Sequence, residues 1–127
     1  MLTVGEHYLG SLEDREIRMS SGFAGGVGCT YQEICGVFSA GMMILGALHG
    51  RTSPGQDDRT CQDSSARLRI QFIERFETVN CGKLREFRYG SGGLEPCSIL
   101  VERAARVLIQ VIEEAREQNR NSQGVKN

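Results

Sequence analysis

Cys35, Cys81 and Cys97 each stand where a helix is expected to begin, and a thiol in that position has its own chemistry. Cys81 follows Asn80, a good helix cap, and Cys97 follows Pro96, a good first helical residue. Cys35 opens the most apolar segment of the chain, beside Gly36. Free backbone N–H groups and the positive end of a helix dipole favour the thiolate, the form that ligates soft metals and exchanges disulfides. Cys81 and Cys97 are separated by a predicted short helix and a turn, a connection that can bring two helix starts together. Cys35 joins them if the central helix packs beside both. Three sulfurs gathered in this way would suit an iron–sulfur cluster, another soft metal or a reversible disulfide. The competing reading is that the cysteines are small hydrophobes filling a core.

The elements that must position these thiols are helical. No strand-like alternation is sustained, and apolar residues recur at helical spacing over most of the chain. The expectation is an all-α, compact bundle of about five helices around a central helix rich in small residues. Residues 1–117 would form a single helical domain, and 118–127 a polar, frayed tail. Thr3 to Leu9 reads as a short helix or the end of a longer one. Ser11 is a candidate cap for a second helix from Leu12 to Ser20, with Leu12, Ile17 and Met19 as its buried residues. Gly22 to Gly28, with four glycines in seven residues, breaks the pattern. Thr30 and Glu33 have the spacing of a capping box for the central helix, which runs to His49. There Gly36, Ala40, Gly41, Gly46 and Ala47 would admit a close neighbour. A further helix spans Asp58 to Glu77, followed by Cys81 to Phe87, a glycine-rich turn at Tyr89 to Leu94, and a last helix from Cys97. That helix buries Leu100, Ala104, Val107, Leu108, Val111 and Ala115.

Composition removes several function classes. The net charge of −1, from 15 basic and 16 acidic residues with no basic stripe, argues against nucleic-acid binding. The N-terminal residues lack the basic start and apolar core of a signal peptide, and Gly36 to Leu48 is too short to span a bilayer. The expectation is a cytoplasmic protein with no membrane insertion. In that reducing setting, an odd count of five cysteines points away from a paired disulfide framework.

Other motifs are weaker. There is no Cys-x-x-Cys pair and no histidine at ligand spacing, which disfavours conventional zinc and a thioredoxin-type motif. The glycine-rich segment matches neither nucleotide-binding signature. It reads instead as backbone wrapped around a helix start, where it could offer N–H groups to sulfur or anion charge. His49 is a helix-end residue whose imidazolium would suit the dipole, and Met42-Met43 is core filler.

Taken together, several stretches resemble one family. They are Ser21 to Gly28, Glu33-Ile34-Cys35-Gly36 with Ala40-Gly41, Leu45-Gly46, His49-Gly50, Phe72 and Phe76 before Asn80-Cys81, and Cys97 opening the final helix. In order and spacing they are similar to the redox-active proteins named for a Cys-Gly-Ala-x-x-Gly motif and further spaced cysteines (C_GCAxxG_C_C). The likeness covers Val4 to Glu114. It implies a small helical protein with functional cysteines, here Cys35, Cys81 and Cys97, with cluster binding as an extension of that role. Two departures stand out. Val37 replaces the usual alanine and Ala40 the usual glycine, and the family's first cysteine would align before Met1. The resemblance therefore implies either a start further upstream or a fourth sulfur from Cys29 or Cys61, with Cys29 preferred.

The leading expectation is redox chemistry. Cys35, Cys81 and Cys97 would be exchange thiols or cluster and metal ligands, Cys29 an additional ligand, and the partner a redox protein. The main alternative is a non-catalytic helical module, assembling as a homo-oligomer, whose cysteines are structural. A third reading is a thiol enzyme using one acidic cysteine, Cys97 or Cys81.

Overall fold

The computed structural model describes residues 1–90 and 94–124. Among these, six helices follow one another with no strand between them: α1 (Leu2–Leu9), α2 (Asp14–Ser21), α3 (Gly36–His49), α4 (Arg59–Phe76), α5 (Cys81–Phe87) and α6 (Cys97–Gly124). The all-α expectation holds. No helix among the described residues is long and apolar enough to cross a membrane. The glycine-rich turn expected at Tyr89 to Leu94 falls partly on residues 91–93, outside the described residues, as do residues 125–127.

The central position of α3 follows from its composition. It packs against α1, α2, α4 and α6, and buries Phe38, Ser39, Gly41, Ile44 and Leu45. Gly41 is where small size matters, because a Cβ there would lie 2.9 Å from Cδ2 of Leu68 on α4. The fully buried side chains Phe72, Ile44, Leu45, Ile112, Val107 and Val111 come from α3, α4 and α6, so these three helices make the core. Every apolar position expected on the inner face of α6 is buried. An aromatic ladder crosses the core edge to face, from Phe38 to Phe72 (5.2 Å), Phe72 to Phe76 (4.7 Å) and Phe76 to Tyr89 (6.3 Å). Its two ends lie three residues beyond Cys35 and eight beyond Cys81, so the packed core supports both segments.

Several local expectations are corrected. The second helix starts at Asp14, not Leu12, because Glu13 and Glu16 form a reciprocal capping box where Ser11 was expected to cap. It buries no residue, and Met19 is 63% exposed. Thr30 and Glu33 do not cap α3. The Thr30 hydroxyl donates to the Gly26 and Val27 carbonyls, and Cys35 itself occupies the N-cap. Helix α6 begins at Cys97, one residue after Pro96. It continues as exposed helix from Arg116 to Gly124, where a frayed tail was expected from Gln118. Burial and the nearby Arg116 lower the pKa of His49, which disfavours the imidazolium expected at the end of α3.

Between α2 and α3 the backbone reverses hand. Residues 25–29 have consecutive φ values of 58°, 71°, 70°, 61° and 56°, and Tyr31 follows at 61°. Glycine accepts this at little cost, but Val27, Cys29 and Tyr31 do not, since an L-residue held there loses about 1–2 kcal/mol. Backbone hydrogen bonds hold the run, among them Gly28 N–H to the Gly22 carbonyl (2.9 Å), Cys29 N–H to Ala24 (2.9 Å) and Tyr31 N–H to Gly25 (2.8 Å).

Phe72 is 1% exposed and stacks against rings on both sides. Phe72→Ala is expected to cost about 3–5 kcal/mol, read as a lowered urea midpoint with an unchanged slope.

Candidate functional site

The site begins with two short segments that pair. Cys35 N–H donates to the Val79 carbonyl (2.7 Å) and Cys81 N–H to the Glu33 carbonyl (2.8 Å), on either side of an antiparallel bridge between Ile34 and Asn80. Side chains alternate across extended backbone, so positions 35 and 81 lie on the same side of the bridge. They are diagonal neighbours, a relation that spans about 7–8 Å in an antiparallel pair. Each segment then turns directly into a helix. Asn80 caps α5 as its sequence predicts, its Oδ1 accepting from Lys83 N–H (3.0 Å), while its Nδ2 donates to the Gln32 carbonyl (2.8 Å). One side chain thus starts α5 and ties it to the segment before α3.

The left-handed run packs against this pair. At Gly26, which is buried, a Cβ would fall 2.6 Å from Cys81 Cβ and 3.2 Å from its Sγ, so only glycine lets the loop backbone lie on the cysteine. Cys29, three residues beyond in the same run, is exposed.

The third helix start is anchored separately. Glu95 N–H donates to the Arg88 carbonyl (2.9 Å) and Gly90 N–H to the Glu95 carbonyl (2.9 Å). The Glu95 carboxylate accepts from both terminal nitrogens of Arg103 (2.7 and 3.1 Å) and from Arg88 Nε (3.0 Å). The Arg103 guanidinium foremost, with Arg88, holds the Glu95 carboxyl below its usual pKa. This clamp fixes the end of α5 beside the first residues of α6, two positions before Cys97.

Cys81 lies within electrostatic reach of Cys35, Cys97 and Cys29, and Cys35 within reach of Cys97. Burial pushes the Cys35 thiol up, and charge on Cys81 or Cys97 pushes it further in the same direction. The Val37 and Phe38 amides oppose this by favouring the thiolate, although no full cap hydrogen bond forms. Burial also raises the Cys81 thiol, with Cys97 and Cys29 adding to the rise and the Arg85 guanidinium opposing it. The expectation that a helix start makes these two thiols acidic is therefore corrected, because desolvation outweighs the amides and the dipole. Cys35 and Cys81 are buried, whereas Cys97 and Cys29 are exposed. Cys61 stands apart. It lies in the first turn of α4, 15 residues before the end at Phe76, which is about 22 Å of helix. Of the two replacements considered for a fourth sulfur, Cys29 and not Cys61 reaches Cys81.

Among the described residues, no three His, Cys, Asp or Glu side chains are grouped as a metal ion would need. Cys35 and Cys81 are buried beside the bridge, while Cys97 and Cys29 are exposed.

Two residues at the site escaped the sequence reading. Arg85 lies one helical turn after Cys81, a spacing that puts both on one face of α5 and could have identified it. Tyr31, whose ring lies 4.0 Å from the Arg85 guanidinium, carries no local signal, since the contact joins residues 54 positions apart.

Compared with known proteins, residues 1–111 match the model of one family, described as putative redox-active protein (C_GCAxxG_C_C). No curated protein and no solved structure matches the chain.

Two measurements test this geometry. Gly26→Ala places a methyl group in the space held by Cys81 and strains a left-handed position, so it should destabilise by roughly 2–5 kcal/mol in urea. The second concerns pH. A raised thiol pKa in the native state means that the native form holds its proton more tightly, so stability is full below the unfolded value of about 8.5 and falls as pH rises toward the folded value. The urea midpoint should therefore decline above about pH 8.5, and Cys35→Ala should flatten that decline.

Proposed function

Because the chain belongs to the C_GCAxxG_C_C family of redox-active proteins, we propose that it performs reversible thiol–disulfide chemistry with Cys97 and Cys81 as the working pair. Cys29 and Cys35 flank them. The observation that carries this reading is the position of Cys81, buried under a glycine loop and within electrostatic reach of Cys97, Cys29 and Cys35. The different exposures support a division of roles. Cys97, open to solvent at the start of α6, would meet an external disulfide first, and the buried Cys81 would resolve the product.

The chemistry balances as two exchanges. The Cys97 thiolate attacks one sulfur of the external disulfide, the S–S bond breaks, and the departing sulfur takes a proton from water. Cys81, deprotonated, then attacks Cys97 Sγ in the mixed disulfide. A Cys81–Cys97 bond forms, and the second external sulfur leaves as a thiolate and is protonated. The external disulfide gains two electrons and becomes two thiols, while the two cysteines lose them. A dithiol partner reverses the cycle by the same steps. Such a cycle needs the thiols reduced at rest, which suits a reducing compartment.

The experiment is anaerobic purification with iron and sulfide analysis, then titration with oxidised glutathione and peptide mass spectrometry. One reversible intramolecular Cys81–Cys97 bond is expected. Cys81→Ser should accumulate a mixed disulfide on Cys97, and Cys97→Ser should abolish the rapid reaction. Stoichiometric iron and sulfide, lost on replacing Cys35, Cys81 or Cys97, would overturn this reading in favour of cluster-based electron transfer. Cysteines that stay reduced in a folded protein would overturn it in favour of a structural role.

A further inference from the structure

We propose that Tyr31 and Arg85 are positioning residues for the resolving step, a stacked pair that holds a guanidinium beside the Cys81 sulfur as it takes on negative charge. This rests on the thiol–disulfide reading and names residues that the family description leaves out.

The case is geometric. Arg85 lies one turn along α5 from Cys81. Its carbon Cζ sits 4.0 Å from the centroid of the Tyr31 ring, well inside the range of a cation–π contact. On another side the guanidinium meets the backbone of Gly90. A Cβ at Gly90 would come within 3.2 Å of Arg85 Cγ and Nη1 and 3.3 Å of Cζ. Arg85 is accordingly half-buried, while Lys83 and Glu86 on the same short helix are exposed. A ring from one loop and a bare backbone from another thus confine the cation.

Tyr31 is placed for this contact at a local cost. Its φ is 61°, a left-handed value that an aromatic L-residue rarely takes, and its side chain is still 44% exposed. Backbone hydrogen bonding holds that conformation, Tyr31 N–H donating to the Gly25 carbonyl (2.8 Å), and the ring it presents meets Arg85. Strained backbone of this kind collects at functional sites. The charged or titratable groups facing Cys81 are Cys97 from α6, Cys29 from the glycine loop, Cys35 from the start of α3, and Arg85 from its own helix. Three of these four oppose charge on Cys81 when they are ionised, and among them Arg85 favours it. The pair therefore supplies the positive charge that a buried sulfur needs in order to act as a nucleophile after Cys97 has been capped.

The test is site-resolved alkylation of the reduced full chain by iodoacetamide between pH 6 and 10, read by mass spectrometry as the rate at Cys81. Arg85→Gln should slow alkylation of Cys81 roughly threefold near neutral pH and shift its pH profile upward, because lost thiolate is only partly offset by greater intrinsic reactivity. Tyr31→Leu should act in the same direction. Arg85→Lys and Tyr31→Phe, which keep the cation and the ring, should return the profile toward that of the parent. Cys61, on α4, should not change and serves as the internal check on folding. An unchanged Cys81 profile in Arg85→Gln overturns the proposal, as does Tyr31→Phe behaving like Tyr31→Leu. Should Tyr31→Leu fail to fold, the Arg85→Gln and Arg85→Lys pair still decides. If oxidation yields no Cys81–Cys97 bond, the thiol–disulfide reading fails. An unchanged profile with that bond intact fails this inference alone.

Discussion

Two backbone hydrogen bonds, from Cys35 to Val79 and from Cys81 to Glu33, are the constraint on which the rest of the site depends. They join segments more than forty residues apart in sequence and leave both pointing into helices. Without them α3 and α5 would have no fixed relation at their starts, and the glycine loop would have no floor to lie on. Asn80 reinforces the joint from the side by capping one helix and binding the approach to the other. The aromatic ladder reinforces it from below, since Phe38 and Tyr89 extend the core to the edge of both segments. Among the described residues, which form no sheet, the Ile34–Asn80 bridge thus serves as the keystone of the site.

That joint also decides the electrostatics. Near a helix start, a sulfur experiences two opposing effects: amides and dipole stabilise its charge, and removal of water destabilises it. At Cys35 the second wins even though the Val37 and Phe38 amides face the sulfur. At Cys81 the same contest is narrowed by Arg85. The result is two buried thiols whose pKa values are raised, with Cys97 and Cys29 exposed.

How much of this was legible in the sequence depends on the range of the interaction. The helical class, the inner face of α6 and the Asn80 cap were readable, because each is encoded by neighbours within a turn or two. The helix starts expected at Cys81 and Cys97 were readable as well, from Asn80 and Pro96 beside them. Local reading failed where two local signals competed. Glu13 with Glu16 displaced Ser11 as a cap, and Thr30 turned back to its own loop rather than forward to α3. It also failed for acidity, since Cys35 is buried by contacts from other helices that its neighbours do not reveal. Tyr31 could not have been found, because both its unusual backbone and its cation partner are products of the folded state.

The reversal of hand in residues 25–29 has a consequence for how this protein can vary. Ordinary side chains are at a disadvantage throughout that stretch, and asparagine and aspartate are the residues that tolerate it best after glycine. At position 26 even those are shut out, because the volume a side chain would occupy already belongs to Cys81. Mutational drift that the exposed surface of α6 absorbs freely therefore meets a hard stop at this loop. A lineage that altered position 26 would first have to rebuild the neighbourhood of its buried sulfur.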